Sequence, residues 1–114
     1  MSQYPFTQDG ARAALAAVED QPAQHFRSLG IYGIPQDERA CVVANYLRQA
    51  CGAETVEAHG DEAWLYRTRV EASTDWTSVT PETVHVDDLP DSVQDFIAEF
   101  DNAEHPYLIE EAAA

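Results

Sequence analysis

The chain has 114 residues, enough for one compact domain with a modest core, and its 45% apolar content includes 18 alanines. Twenty-one Asp and Glu face six basic residues, a formal charge of -15. So negative a molecule is repelled by phosphate backbones and anionic lipid surfaces, which disfavours direct binding to nucleic acid or membrane.

Thr7 or Asp9 can cap a first helix within residues 7–19, where Ala11, Leu15 and Val18 share one stripe. Pro22 suits the first position of a short second helix, in which Phe26 and Leu29 are three apart and Gly30 is the stop. The run IYGIP then places large apolar residues among glycine and proline, the pattern of a packed connection. Pro35 is expected to open the strongest helix, residues 36–51, with Asp37 and Glu38 in its first turn, where carboxylates favour the positive end of the dipole. Ala40, Val43, Ala44, Leu47, Ala50 and Cys51 recur along it at three- and four-residue steps, and Gly52 ends it.

Beyond Gly52 the period shortens to two. ETVEA and EAWLYRTRVEA, separated by His59, Gly60 and Asp61, read as a hairpin. Alternation puts Trp64, Tyr66, Thr68 and Val70 on one face of the second strand and Leu65, Arg67 and Arg69 on the other, one facing core and one facing solvent. The polar run STDWTSVTPET is expected to loop towards, or partly pair with, a third strand at residues 83–86, with Trp76 as a surface aromatic. Pro90 or Asp91 starts a last helix whose Val93, Phe96, Ile97 and Phe100 form an apolar stripe opposite Asp91, Asp95 and Glu99. Tyr107, Leu108 and Ile109 are expected to dock in an extended tail, and residues 110–114 to fray.

These elements predict a single α+β domain over residues 1–114. Three to four helices pack on a small, mainly antiparallel three-stranded sheet, with the first, third and last helices on one face. The N-terminus has neither a basic start nor an apolar run, and no segment approaches the 18 apolar residues of a spanning helix, so a cytoplasmic protein is expected. Cys41 and Cys51, ten residues apart in one helical pattern, would be separated by about 15 Å. That exceeds disulfide reach, and both read as buried thiols.

Few residues suggest chemistry. His85 and Asp87, two apart on a strand and joined by His59 and Asp61 from the hairpin turn, suit zinc or iron. No HExxH or paired CxxC spacing accompanies them, so no metal or cofactor is assigned, and a small metal-dependent enzyme using His85 and Asp87 stands as an alternative. Cys41, early in its helix beside Arg39, is the one candidate nucleophile, and buried packing explains it equally well. No catalytic residue is assigned, and the GIYGIP run lacks the Lys and the spacing of a phosphate loop.

The charge is uneven. Residues 1–69 hold nine acids and all six Arg, whereas residues 70–114 hold twelve acids and no cation. Asp87, Asp88, Asp91, Asp95, Glu99, Asp101 and Glu104 are therefore the candidate partner-binding residues of a non-enzymatic interaction module. Its expected partner is a basic protein surface, such as that of a nucleic-acid-binding protein, which a carboxylate array can occupy by imitating phosphates. The alternative is a solvated or salt-adapted acidic domain, since a halophile would show a similar acid excess for solubility in salt; the Lys-free composition rich in Ala, Asp and Val suggests a GC-rich coding source.

The helix running from Cys41 through AlaAsnTyrLeuArg at residues 44–48, the LeuPro and AspSerVal at 89–93, PheIle at 96–97, PheAsp at 100–101 and HisProTyrLeuIle at 105–109 form a recurring layout. It resembles small acidic proteins of actinobacteria and of their phages and mobile elements. The resemblance covers about half of the chain. It implies an origin and a helix, strands, helix order, and it transfers no functional residue.

Overall fold

The computed structural model describes residues 2–109. Element order is α1 (Gln8–Ala16), α2 (Pro22–Leu29), α3 (Val42–Cys51), β1 (Thr55–His59), β2 (Glu62–Ala72), β3 (Thr77–Val86), α4 (Asp91–Asp101) and a 3-10 turn at Pro106–Leu108. This is the expected α+β arrangement, four helices with one antiparallel sheet of order β1-β2-β3. Among the described residues no helix is long and apolar enough to cross a membrane. The expected fraying of residues 110–114 lies outside the described residues.

Local signals account for most helix ends. Thr7 has an extended backbone and its hydroxyl accepts from Gly10 N–H, satisfying one of the free amides that begin α1. Pro22 opens α2, and Gly30 closes it at φ 69°, a left-handed conformation that a Cβ disfavours. Helix α3 departs from expectation, beginning at Val42 and not at residue 36. The Asp37 carboxylate accepts from Arg39 N–H, Gln36 has φ 64°, and Ile34 N–H donates to Ala40 O, so local turns consume the groups a helix would use. Asp37 and Glu38 consequently lie outside the helix, and Cys41 is its N-cap, the thiol accepting from Ala44 N–H at 3.4 Å.

Helix α3 is the centre of the core, with every residue from Val42 to Leu47 buried. It lies on β1 and β2, while α1 packs against α3 and β3. α2 and α4 pack on each other, and α2 also meets the 3-10 turn. The last helix lies beside α2, the two forming an outer layer on the same core as α1 and α3.

The inner face of the sheet carries Val56 beside Leu65 and Ala58 beside Ala63 and Val86, all buried. The core face of β2 is therefore the one with Leu65. Arg67 continues that face past the edge of the core, where its guanidinium lies 4.3 Å from the Phe6 ring centre and pairs with Glu82 at 2.9 Å. β3 is longer than expected, pairing with β2 from Ala63–Val86 out to Ala72–Thr77 and absorbing most of the polar run. Trp76 is exposed at the tip, as anticipated. The IYGIP segment is packed: Ile31 and Gly33 are buried, and Gly33 N–H donates to Leu108 O at 2.9 Å, holding the C-terminal segment where Leu108 enters the core.

Candidate functional site

α4 owes its orientation to its buried side. Val93, Phe96, Ile97 and Phe100 are in the core, with Phe96 tilted against Phe26 at 5.1 Å between ring centres. Ser92 Oγ donates to Glu19 O, and Leu89 N–H donates to Asp61 O, tying the start of the helix to the α1–α2 loop and to the β1–β2 turn. With one side fixed, Asp91, Asp95 and Glu99 must face outward, and all three are exposed. Successive members are separated by one turn, about 6 Å along the axis.

The seven carboxylates marked by the sequence have different surroundings. Asp87 pairs with Arg12 at 2.7 Å, a cation from the other end of the chain. Asp101 accepts from Gln36 N–H at 2.8 Å and holds the 34–40 turn to the end of α4. Glu99 meets His105 Nε2 at 2.9 Å; a carboxylate can only accept, so that nitrogen donates, and Nδ1 is left facing the Tyr107 hydroxyl at 3.3 Å. Among the described residues, Asp88, Asp91, Asp95 and Glu104 form no ion pair.

Beside this row, α2, α4 and the 3-10 turn enclose an open groove of about 530 Å³. Phe96, Pro22 and Ala23 give it apolar walls, with Asp95 and Glu99 on one side and Arg27 and Tyr107 on the other. His105 stacks on Phe96 at 5.0 Å, and Arg27 lies 5.3 Å from the Tyr107 ring centre. Sequence reasoning missed the contributions of Arg27 and Tyr107. No periodic signal links residues so far apart.

The suggested histidine cluster does not form with Asp87. β3 ends before Asp87, whose carboxylate turns to Arg12, while His85 stacks on Trp64 at 3.9 Å on the outer face of the sheet. His85 Nε2 lies 3.4 Å from Glu62 Oε2 without making a directed hydrogen bond, and His59 lies 3.9 Å from the same carboxylate. Among the described residues no group of three His, Cys, Asp or Glu side chains could hold a metal ion.

Cys41 and Cys51 are free and buried. Burial pushes each thiol up to about 11, the opposite of the depression that activates a nucleophile.

Glu62 is held below the usual carboxylate value, first by the Trp64 indole N–H and, against some desolvation, by His85 and His59. A carboxylate with a depressed folded pKa contributes stability above its unfolded value and loses it as pH falls through the folded value. Glu62→Gln is therefore expected to lower Tm at neutral pH and to match wild type once both are below the carboxylate range. Melting curves across the acid limb read this directly; a Tm difference that persists unchanged in acid would exclude the charge as its source.

No family model matches the chain, and neither a curated protein nor a solved structure matches it.

Proposed function

We propose that this protein is a non-enzymatic interaction module that docks its acidic C-terminal surface on a basic protein partner. The carrying observation is the α4 row, in which Asp91, Asp95 and Glu99 are exposed on a helix whose opposite side is locked in the core. Asp88 and Glu104 are exposed just before and just after the helix, and the Arg12–Asp87 and Gln36–Asp101 contacts brace its flanks. Fixed carboxylates offer an oppositely charged partner a surface that costs little ordering on association, and their field accelerates encounter. The adjacent groove suits the aliphatic stem of an Arg or Lys against Phe96, with its head towards Asp95 and Glu99. A partner surface that otherwise holds phosphates meets these requirements, so the protein acts as a nucleic-acid-mimicking inhibitor or regulator of the kind phages and mobile elements carry.

Location separates this reading from a merely solvated acidic domain. The probe is a ten-residue arginine peptide at low salt, followed by calorimetry. Asp91→Asn/Asp95→Asn/Glu99→Gln is expected to weaken binding about tenfold or more, roughly 1.4 kcal/mol. Asp9→Asn/Glu54→Gln/Asp75→Asn removes the same charge from three exposed carboxylates that form no ion pair among the described residues and lie on other elements than α4. Its effect should be several-fold smaller. Equal losses in the two variants would reduce the binding to net charge and remove the case for a docking face.

A further inference from the structure

The sheet has one edge that the fold leaves open. β1 covers β2 only from His59–Glu62 to Thr55–Tyr66, whereas β2 continues with β3 to Ala72. Residues 67–72 therefore lack a strand on their β1 side among the described residues. The paired ends form a ribbon of about six residues per strand, some 20 Å long at strand rise, on a molecule of 53 × 35 × 22 Å. Val70 and Val79 are register partners on it, each 62% exposed. An isolated two-stranded ribbon is marginal in water, and an open edge is a template for another strand.

We propose that residues 69–71 of β2 pair edge to edge and antiparallel with the same residues of a second copy, about a two-fold axis at Val70. Backbone direction supports this register. Tyr66 O accepts from Glu54 N–H at 2.9 Å, and Thr68 N–H donates to the Glu54 carboxylate, so both point to the β1 side. Alternation then aims the amides and carbonyls of Val70 and Ala72 at the open edge. Around Val70 the two-fold sets Arg69 of each copy opposite Glu71 of the other, a charge-complementary pair formed twice. Within one chain these two side chains are only 3.5 Å neighbours, half exposed. On the other face the pairing aligns Val79, Val70, Val70 and Val79 across four strands, giving each exposed apolar pair an apolar lateral neighbour.

The other edge of the sheet does not offer this. Gln8 Nε2 donates to His85 O, which points outward from β3 and is covered by α1 at that point. Alternation makes position 81 outward-pointing too, and Pro81 has no N–H to give. Charge also selects the ribbon. From Arg67 to Glu82 two Arg face three acids, and the Glu54 carboxylate at Thr68 is a fourth, leaving two net negative charges of the molecule's fifteen. A second copy meets less repulsion here than anywhere on the α4 side.

Sedimentation equilibrium of the full chain at about 0.15 M salt, up to roughly 1 mM protein, tests the assignment. The contact is small, so a reversible dimer with Kd roughly between 10 µM and 1 mM is expected. Arg69→Glu and Glu71→Arg shift net charge in opposite directions, yet each places like charges across both symmetric contacts and should weaken the dimer at least about tenfold. The double variant Arg69→Glu/Glu71→Arg restores opposite charges and should return Kd to within about threefold of wild type. Circular dichroism checks that every variant is folded, and the α4 triple variant should dimerise like wild type. A wild type that stays monomeric throughout overturns the proposal. Single variants that associate normally, or a double variant no better than the weaker single, overturn the register and with it the pairing.

Discussion

Gly33→Ala is expected to cost about 3 kcal/mol or more, at the upper end of what one added methyl does in a packed interior. A Cβ there would lie 2.4 Å from Val42 N, 2.6 Å from Cys41 C and 2.8 Å from Ala40 O. All three are backbone atoms at the start of α3, so no side chain can rotate away. The same junction carries the bond from Gly33 N–H to Leu108 O and the pair of bonds from Asn45 Nδ2 to Tyr32 O and Ala40 O. Separating the strands of this loop by a few tenths of an ångström weakens several contacts together. Gly30→Ala is the internal control: its φ is 69°, but nothing lies within 4 Å of the new methyl. It should lose only the left-handed penalty, roughly 1–2 kcal/mol. Urea unfolding of the two variants decides the matter, and a Gly33 variant no less stable than the Gly30 variant would show that the junction is slack.

Phe26→Ala should have the largest effect of any side-chain truncation in the outer layer, roughly 3–5 kcal/mol. Phe26 is fully buried, with ring centres 5.3 Å from Tyr46 on α3 and 5.1 Å from Phe96 on α4. It is thus the piece through which α2 holds α4 to the core. Against a total stability of about 5–15 kcal/mol, the loss should lower the urea midpoint strongly while leaving the m-value near that of wild type. Phe26→Leu, which keeps most of the volume, should recover more than half. Because Phe96 also lines the groove between α2 and α4, Phe26→Ala is further expected to weaken arginine-peptide binding under conditions where the variant remains folded. Retention of full affinity would mean that the α4 row works without its packing support.

Much of the fold was legible because its signals are local. Thr7, Pro22, Gly30 and Pro90 mark helix ends through their own backbone preferences, and the 93, 96, 97, 100 spacing identifies the buried side of α4 without reference to any other element. The start of α3 was misread where two local preferences compete. Residues 36–41 have helix-like composition, but Arg39 N–H donates to the Asp37 carboxylate and the tertiary bond from Gln36 N–H to the Asp101 carboxylate favours the turn. The outer half of β3 was obscured for another reason. TSVTPE has little buried surface on either face, so no hydrophobic alternation announces it, and only pairing with β2 makes it a strand.

The candidate site divides along the same line. The outward row of Asp91, Asp95 and Glu99 follows from a four-residue spacing opposite an apolar stripe, and sequence alone suffices to place it on one side of one helix. The neutralisation of Asp87 by Arg12, 75 residues away, and the arrival of Arg27 beside Asp95 and Glu99 do not follow from it. Linear charge segregation suggested a C-terminal region without cations, whereas chain folding brings Arg12 and Arg27 back beside the candidate carboxylates. The sequence by itself determined the acidity, the helices with clear caps and which side of α4 is wet, because these depend on residues within a turn or two. Only the tertiary structure decided which carboxylates remain unpaired and which stretch of β2 remains open, because each depends on groups that the chain brings together from distant positions.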